Sequence, residues 1–232
     1  MEVKMSGLAR KYKKENANII KMDLKKQDKH NLRNHYKKAA SKSDFANRYL
    51  IYLSDLIKQI DVKVVEQIID TFLKTLERNK TIYFIGNGGS AVTASHFAND
   101  IGIGTQGNAA KPFKVISLVD NLAVLTAISN DECYDNIFVR QLEAILQPKD
   151  VLVALSVSGN SPNVLKAVRY AKVIGAKTIG CTGFDGGTLR KVVDISFHIP
   201  TPRGEYGPVE DLFMVLDHLI YSYLRLERNG YL

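Results

Sequence analysis

The chain has 232 residues, 45% of them hydrophobic and 24% charged, with 32 Lys and Arg against 24 Asp and Glu. An apolar share of this size excludes a wholly disordered chain, and the length suits one large α/β domain or two small ones. No apolar run approaches about 18 residues, residues 1–10 hold no signal-peptide core, and two cysteines, Cys133 and Cys181, are too few for a disulfide scaffold; a cytoplasmic protein without a membrane span is expected.

Residues 1–40 carry 12 basic and 4 acidic side chains, the whole of the net charge of +8, while residues 41–232 hold 20 of each. The excess belongs to a basic N-terminal extension, 1–40, read as a solvated or helical appendage. A nucleic-acid-binding body would spread cations over its folded surface, so no nucleic-acid partner is expected of it, and the extension lacks an aromatic rhythm for stacking bases.

Two amphipathic helices follow over residues 45–56 and 62–76, with apolar side chains three and four apart. From residue 81 the pattern changes. Short β-rich runs at 81–85, 114–119, 151–155, 177–181 and 194–199 alternate with helical stretches at 91–101, 122–128, 134–146 and 162–174, and a long helix over 209–226 closes the chain. Pro162 just inside one helix and Gly175 just past its end are a start and a stop. Most of the strand candidates are nearly continuous in apolar residues, as strands covered on both faces are. The alternation predicts a parallel sheet in a three-layer αβα sandwich spanning 41–232, preceded by the two N-terminal helices.

Two predicted strand ends are rich in Gly, Asn and Ser: Gly86-Asn87-Gly88-Gly89-Ser90, and Ser156-Val157-Ser158-Gly159-Asn160-Ser161-Pro162. Each leads into a helix, whose free N–H groups and positive dipole end suit an anion. Glycine admits a close backbone approach and serine hydroxyls donate to phosphate oxygens. The first loop also fits a loose dinucleotide pattern, with Asp120 as the ribose acid. That aspartate lies about 30 residues on rather than about 20, however, and the second loop would have no task. No G-K-[ST] follows either loop, so a nucleoside triphosphatase is not indicated.

His96 and Asp100 are four apart on the helix opened by the first loop, hence on one face and close enough to chelate a cation or share a proton. Glu210, Asp211, Asp217 and His218 form a second group on the last helix. Glu210 and His218 are separated by roughly 12 Å along the axis and about 80° around it. One copy of that helix would struggle to present both to one ion, so a shared site predicts donors from two subunits. His198, in an apolar strand, reads as a satisfied core histidine; His30 and His35 receive no role.

Residues 86–100, GNGGSAVTASHFAND, resemble the first signature of the sugar isomerase (SIS) domain, specifically the phosphoheptose isomerases. SVSGNS at 156–161 is similar to that family's phosphate loop, TGFDGG at 182–187 to its next strand-end turn, and Glu210 with His218 to its C-terminal helix. The resemblance implies a five-stranded, flavodoxin-like parallel sheet and a homotetramer with active sites between subunits. The implied activity is isomerisation of the ketose sedoheptulose 7-phosphate to D-glycero-D-manno-heptose 7-phosphate, for lipopolysaccharide or capsule. It implies phosphate contacts from Ser90, Ser156, Ser158 and Ser161, and sugar contacts from Asn87, Gly88 and Asp120. His96, Asp100, Glu210 and His218 take metal-binding or acid/base positions, with zinc as the cofactor and Asp100, Glu210 and His218 as the catalytic set. The family usually has glutamate at 100, glutamine at 210 and arginine where Gly104 stands. A non-catalytic SIS module, sensing a sugar phosphate or adapting a replication initiator, and an isomerase of another ketose phosphate are the alternatives. Histidines at 96 and 218 with a carboxylate at 100 favour an enzyme.

Overall fold

The computed structural model describes residues 31–107 and 111–230; most of the basic extension, residues 1–30 with His30, lies outside them. The described residues fall into two compact units, one ending at Asp55 and one beginning at Leu56.

In the first unit α1 (Leu32–Lys38) is capped by Asn31, whose Oδ1 accepts from the Asn34 N–H at 2.8 Å. The next helix, α2 (Lys42–Ile57), opens with Ser41 Oγ accepting from the Asp44 N–H at 3.1 Å. Tyr36 meets Phe45 edge-on, centroids 5.9 Å apart, and His35 lies 5.4 Å from Tyr52.

The second unit opens with α3 (Val62–Glu77), capped by Asp61, and continues with β1 (Thr81–Gly86) and α4 (Gly89–Asn99). Then come β2 (Lys114–Ser117), α5 (Leu122–Asp131), α6 (Val139–Ile145), β3 (Val151–Leu155) and α7 (Pro162–Ile174). The chain ends with β4 (Lys177–Thr182), α8 (Leu189–Val192), β5 (Ile195–His198) and α9 (Tyr206–Arg228). The strands form one parallel sheet of five in the order β2-β1-β3-β4-β5. Successive β1 residues feed opposite faces. Phe84 joins Phe72 and Phe97 on one side, with centroids 4.8–6.3 Å apart, while Tyr83 and Ile85 join Leu152, Phe138, Leu142 and Val164 on the other. The sheet is thus sealed on both faces, which explains the continuous apolar runs of β1 and β3.

From β1 the chain leaves to one side for β2 and returns to the other for β3, so the crevice between the carboxyl ends of β1 and β3 is the topological switch point. Gly86 pairs with Leu155 there, which makes the two Gly/Ser-rich loops neighbours. Three local readings are corrected. The stretch 134–146 is not one helix: a 3₁₀ turn, Tyr134–Asn136, precedes α6, because Ile137 and Phe138 between them turn fully into the core. The helix predicted over 91–101 begins at Gly89 and passes into a π-helical turn, Asp100–Gly104. The short α8 was not anticipated.

Candidate active site

Glycine is demanded where the first loop turns into α4. A Cβ at Gly86 would collide with the Ser90 carbonyl, and Gly88 at the N-cap has φ +55°, a left-handed conformation. Ser90 is buried in the first turn of α4. Asn87 is held by a paired side-chain exchange with Asn163, 2.9 Å in each direction, and its Oδ1 also accepts from the Tyr134 hydroxyl at 2.8 Å. Asn163 is buried in the first turn of α7, so this pair ties the first loop to the helix that the second loop opens.

In the second loop the Ser156 and Ser161 hydroxyls converge at 3.2 Å, with Ser156 buried. Ser158 Oγ accepts from the Asn160 N–H at 3.3 Å. The Gly183 N–H donates to the Val157 carbonyl at 2.8 Å and the Thr188 N–H to Asn160 Oδ1 at 3.0 Å, so the next strand-end turn braces the serines from behind. Asp120 is exposed just after β2, and Asn121 beside it caps α5.

Further along α4, His96 Nε2 lies 3.2 Å from His218 Nε2, 3.4 Å from Asp100 Oδ2 and 3.8 Å from Asp217 Oδ2. Donor atoms of His96, Asp100, Asp217 and His218 all lie within 4.8 Å of one another. Zinc bonds of about 2.0–2.2 Å in a tetrahedron place donors roughly 3.3–3.6 Å apart. Two imidazole nitrogens and two carboxylates at these spacings therefore fit a divalent cation. Asp217 adds a separate sign: it is fully buried and neither carboxylate oxygen has a hydrogen-bond partner. Burial and then the Asp100 carboxylate push its pKa up to about 8, as befits a charge with nothing to balance it.

All four of these donors come from one chain, and Glu210, expected as a metal position, is not in the group; the expectation of donors from two subunits concerned a site holding both Glu210 and His218. The Glu210 carboxylate instead packs against Gly89 at the opening of α4, where any Cβ would strike it. Burial and the neighbouring Asp211 raise its pKa from the ordinary carboxylate value.

The SIS domain profile matches residues 45–183. A phosphoheptose isomerase of Aliarcobacter butzleri is 35% identical over 184 residues, covering 77% of this chain and 94% of the relative. The chain belongs to the phosphoheptose isomerase family of SIS-domain proteins. A Helicobacter pylori phosphoheptose isomerase is 37% identical over 68% of this chain and 81% of its own length. The solved structure of the phosphoheptose isomerase from Neisseria gonorrhoeae superposes with a TM-score of 0.67 at 28% identity, covering 77% of this chain and 97% of that one. The Francisella tularensis phosphoheptose isomerase structure gives 0.69 at 23% identity, a likeness of fold.

Within the phosphoheptose isomerase family, this chain's departures now have locations. Gly104 closes the π-helical turn with Tyr221 close by: a Cβ there would approach the ring to 2.8 Å, so any side chain at 104 would have to displace that ring. Asp217 was noted on the last helix but given no ligand role. It sits in register with Phe213, Ile220 and Leu224, all fully buried, and a carboxylate on an apolar stripe is the signal that could have singled it out. Tyr134, which orients Asn87, carried no sequence signal. His198 is half-buried, its Nδ1 3.0 Å from Thr182 Oγ1, and burial lowers its pKa to about 4.

Proposed function

We infer that this chain is a phosphoheptose isomerase, interconverting sedoheptulose 7-phosphate and D-glycero-D-manno-heptose 7-phosphate for lipopolysaccharide or capsule synthesis. One observation carries the reading: a Gly/Ser loop opens α4, while about two turns along it His96, with Asp100 of the π-helical turn that follows, converges with His218 of α9. α4 thereby links the anion grip to the acid/base set. The names of the relatives support the same chemistry.

The Ser90, Ser156, Ser158 and Ser161 hydroxyls, with the first N–H groups of α4 and α7, hold the phosphate. That remote grip fixes the reacting carbons. Asn87, the Gly88 backbone and Asp120 serve the sugar hydroxyls. Shifting a carbonyl between C1 and C2 needs a base for the adjacent proton and an acid for the developing enediolate oxygen. Glu210, or Asp100, acts as base; burial and the neighbouring Asp211 raise the pKa of Glu210, which makes it a stronger proton acceptor than an ordinary carboxylate. His218 is the acid that protonates the enediolate oxygen, and a solvent-exchangeable proton then reaches the other carbon as the neighbouring hydroxyl gives up its own. Zinc bound through His96, Asp100 and His218 would polarise the substrate carbonyl.

We also propose self-association to a homotetramer. Leu219, Tyr223 and Leu226 on α9, four and three apart and 39%, 39% and 46% exposed, support an apolar contact. Among the described residues no helix is long and apolar enough to cross a membrane. Cys133 and Cys181 are both free thiols, which supports a reducing, cytoplasmic setting.

The test is turnover by the purified protein on a panel of ketose phosphates, with products resolved by chromatography. Sedoheptulose 7-phosphate should be converted, His218→Ala should lose about 10²–10⁴-fold in kcat, and chelation should lower the rate. No conversion of any ketose phosphate by the wild type would remove the reading.

A further inference from the structure

Among the described residues, Asp217 is the buried carboxylate with neither oxygen hydrogen-bonded. It is fully buried on the core-facing side of α9, and both oxygens lack a donor. Native proteins rarely keep such a group unless something else balances it. The side chain does have a direction, because Oδ2 faces His96 Nε2 at 3.8 Å, and the Asp100 and His218 donors share the same 4.8 Å sphere. Asp217 and His218 are adjacent, so they leave α9 about 100° apart and can flank one point; Glu210, two turns earlier, cannot reach it.

Resting on the reading of this cluster as a cation site, we propose that Asp217 is itself a ligand of the cation. With His96, Asp100 and His218 it forms a set of two imidazoles and two carboxylates within one protomer, and Glu210 stays outside it. The two carboxylate charges neutralise a dication, and the dication supplies the balance that Asp217 lacks. This division of labour leaves Glu210 beside the anion loop, free to meet substrate.

The competing explanation is a carboxylic acid buried for packing alone, and metal binding separates the two. The full chain, stripped with chelator, is titrated with Co²⁺ and followed by its visible d–d absorption and by calorimetry, alongside Asp217→Asn, Asp217→Leu and Glu210→Gln. Wild type should take up one Co²⁺ per chain. Asp217→Asn should weaken binding at least tenfold and alter the d–d spectrum, whereas Glu210→Gln should stay within about twofold of wild type. Metal-free Asp217→Leu should melt above metal-free wild type, because an unbalanced buried carboxylate has gone, yet gain less Tm from Co²⁺. If Asp217→Asn binds as tightly as wild type with the same spectrum, the proposal is overturned while the cation site stands. If wild type binds no Co²⁺, both fall together.

Discussion

At the scale of single residues, the serines of the second loop show how a hydroxyl can be placed for a ligand rather than for the fold. Ser161 stands at the N-cap of α7 yet makes no capping bond, and its hydroxyl meets that of Ser156 at 3.2 Å. Serine at this position normally accepts from the helix; here the hydroxyl makes its contact with Ser156 instead. A hydrogen bond to a charged partner contributes about 1.5–3 kcal/mol. Ser156→Ala and Ser161→Ala should therefore each lower kcat/KM by about tenfold to a hundredfold, mainly through KM, since the phosphate is bound alike in substrate and transition state. Steady-state kinetics on the sugar phosphate checks this; a fall confined to kcat would assign the serines to the reacting end. Asp217 is the opposite case. Its neighbour His218 was readable as a site residue, but only the packing of α9 reveals that 217 faces inward and lacks partners.

At the scale of elements, the structure agrees with the sequence wherever local signals and tertiary burial point the same way. β3 and α7 match to the residue, the helix because Pro162 and Gly175 punctuate it and the strand because both its faces are covered. The break before α6 was not legible, since Ile137 and Phe138 continue a helical apolar pattern and leave it only to fill the core. Nor was the π-helical turn after α4, which ends at Gly104 with Tyr221 of a distant helix close by. Two glycines, both at positive φ, separate local strain from site architecture. Gly175, φ +84°, has open space where a Cβ would go, so Gly175→Ala should cost about 1 kcal/mol of stability and leave turnover unchanged. At Gly159, φ +63°, a Cβ would strike the Gly186 carbonyl in the turn that braces the serine loop. Gly159→Ala should thus lose more than about 2 kcal/mol in urea melts and also raise KM. Equal effects of the two substitutions would show that the brace is irrelevant to binding.

Across the whole molecule, charge and chemistry are segregated. The basic surplus lies in residues 1–40, the family match begins at residue 45, and every residue assigned to the site lies between Asn87 and His218. Deleting residues 1–40 should leave kcat and KM for the sugar phosphate within about threefold of the full chain at physiological salt, where the Debye length of about 8 Å screens distant charges. Loss of turnover on that deletion would make the extension part of the enzyme. The sequence placed the fold, both loops and three of the four clustered donors. The fourth, Asp217, was not singled out, because spacing along a helix does not say which face is buried. The deepest commitment is chemical: a carboxylate near the first loop takes the proton beside the carbonyl, a histidine protonates the enediolate oxygen, and a solvent-exchangeable proton reaches the other carbon. Conversion of sedoheptulose 7-phosphate in D₂O, with the product analysed by NMR and mass spectrometry, tests this directly. The account predicts an aldose carrying solvent deuterium at the carbon that receives the proton, with Glu210→Gln or His218→Ala slowing both conversion and incorporation. An aldose formed at full rate without any deuterium would contradict it.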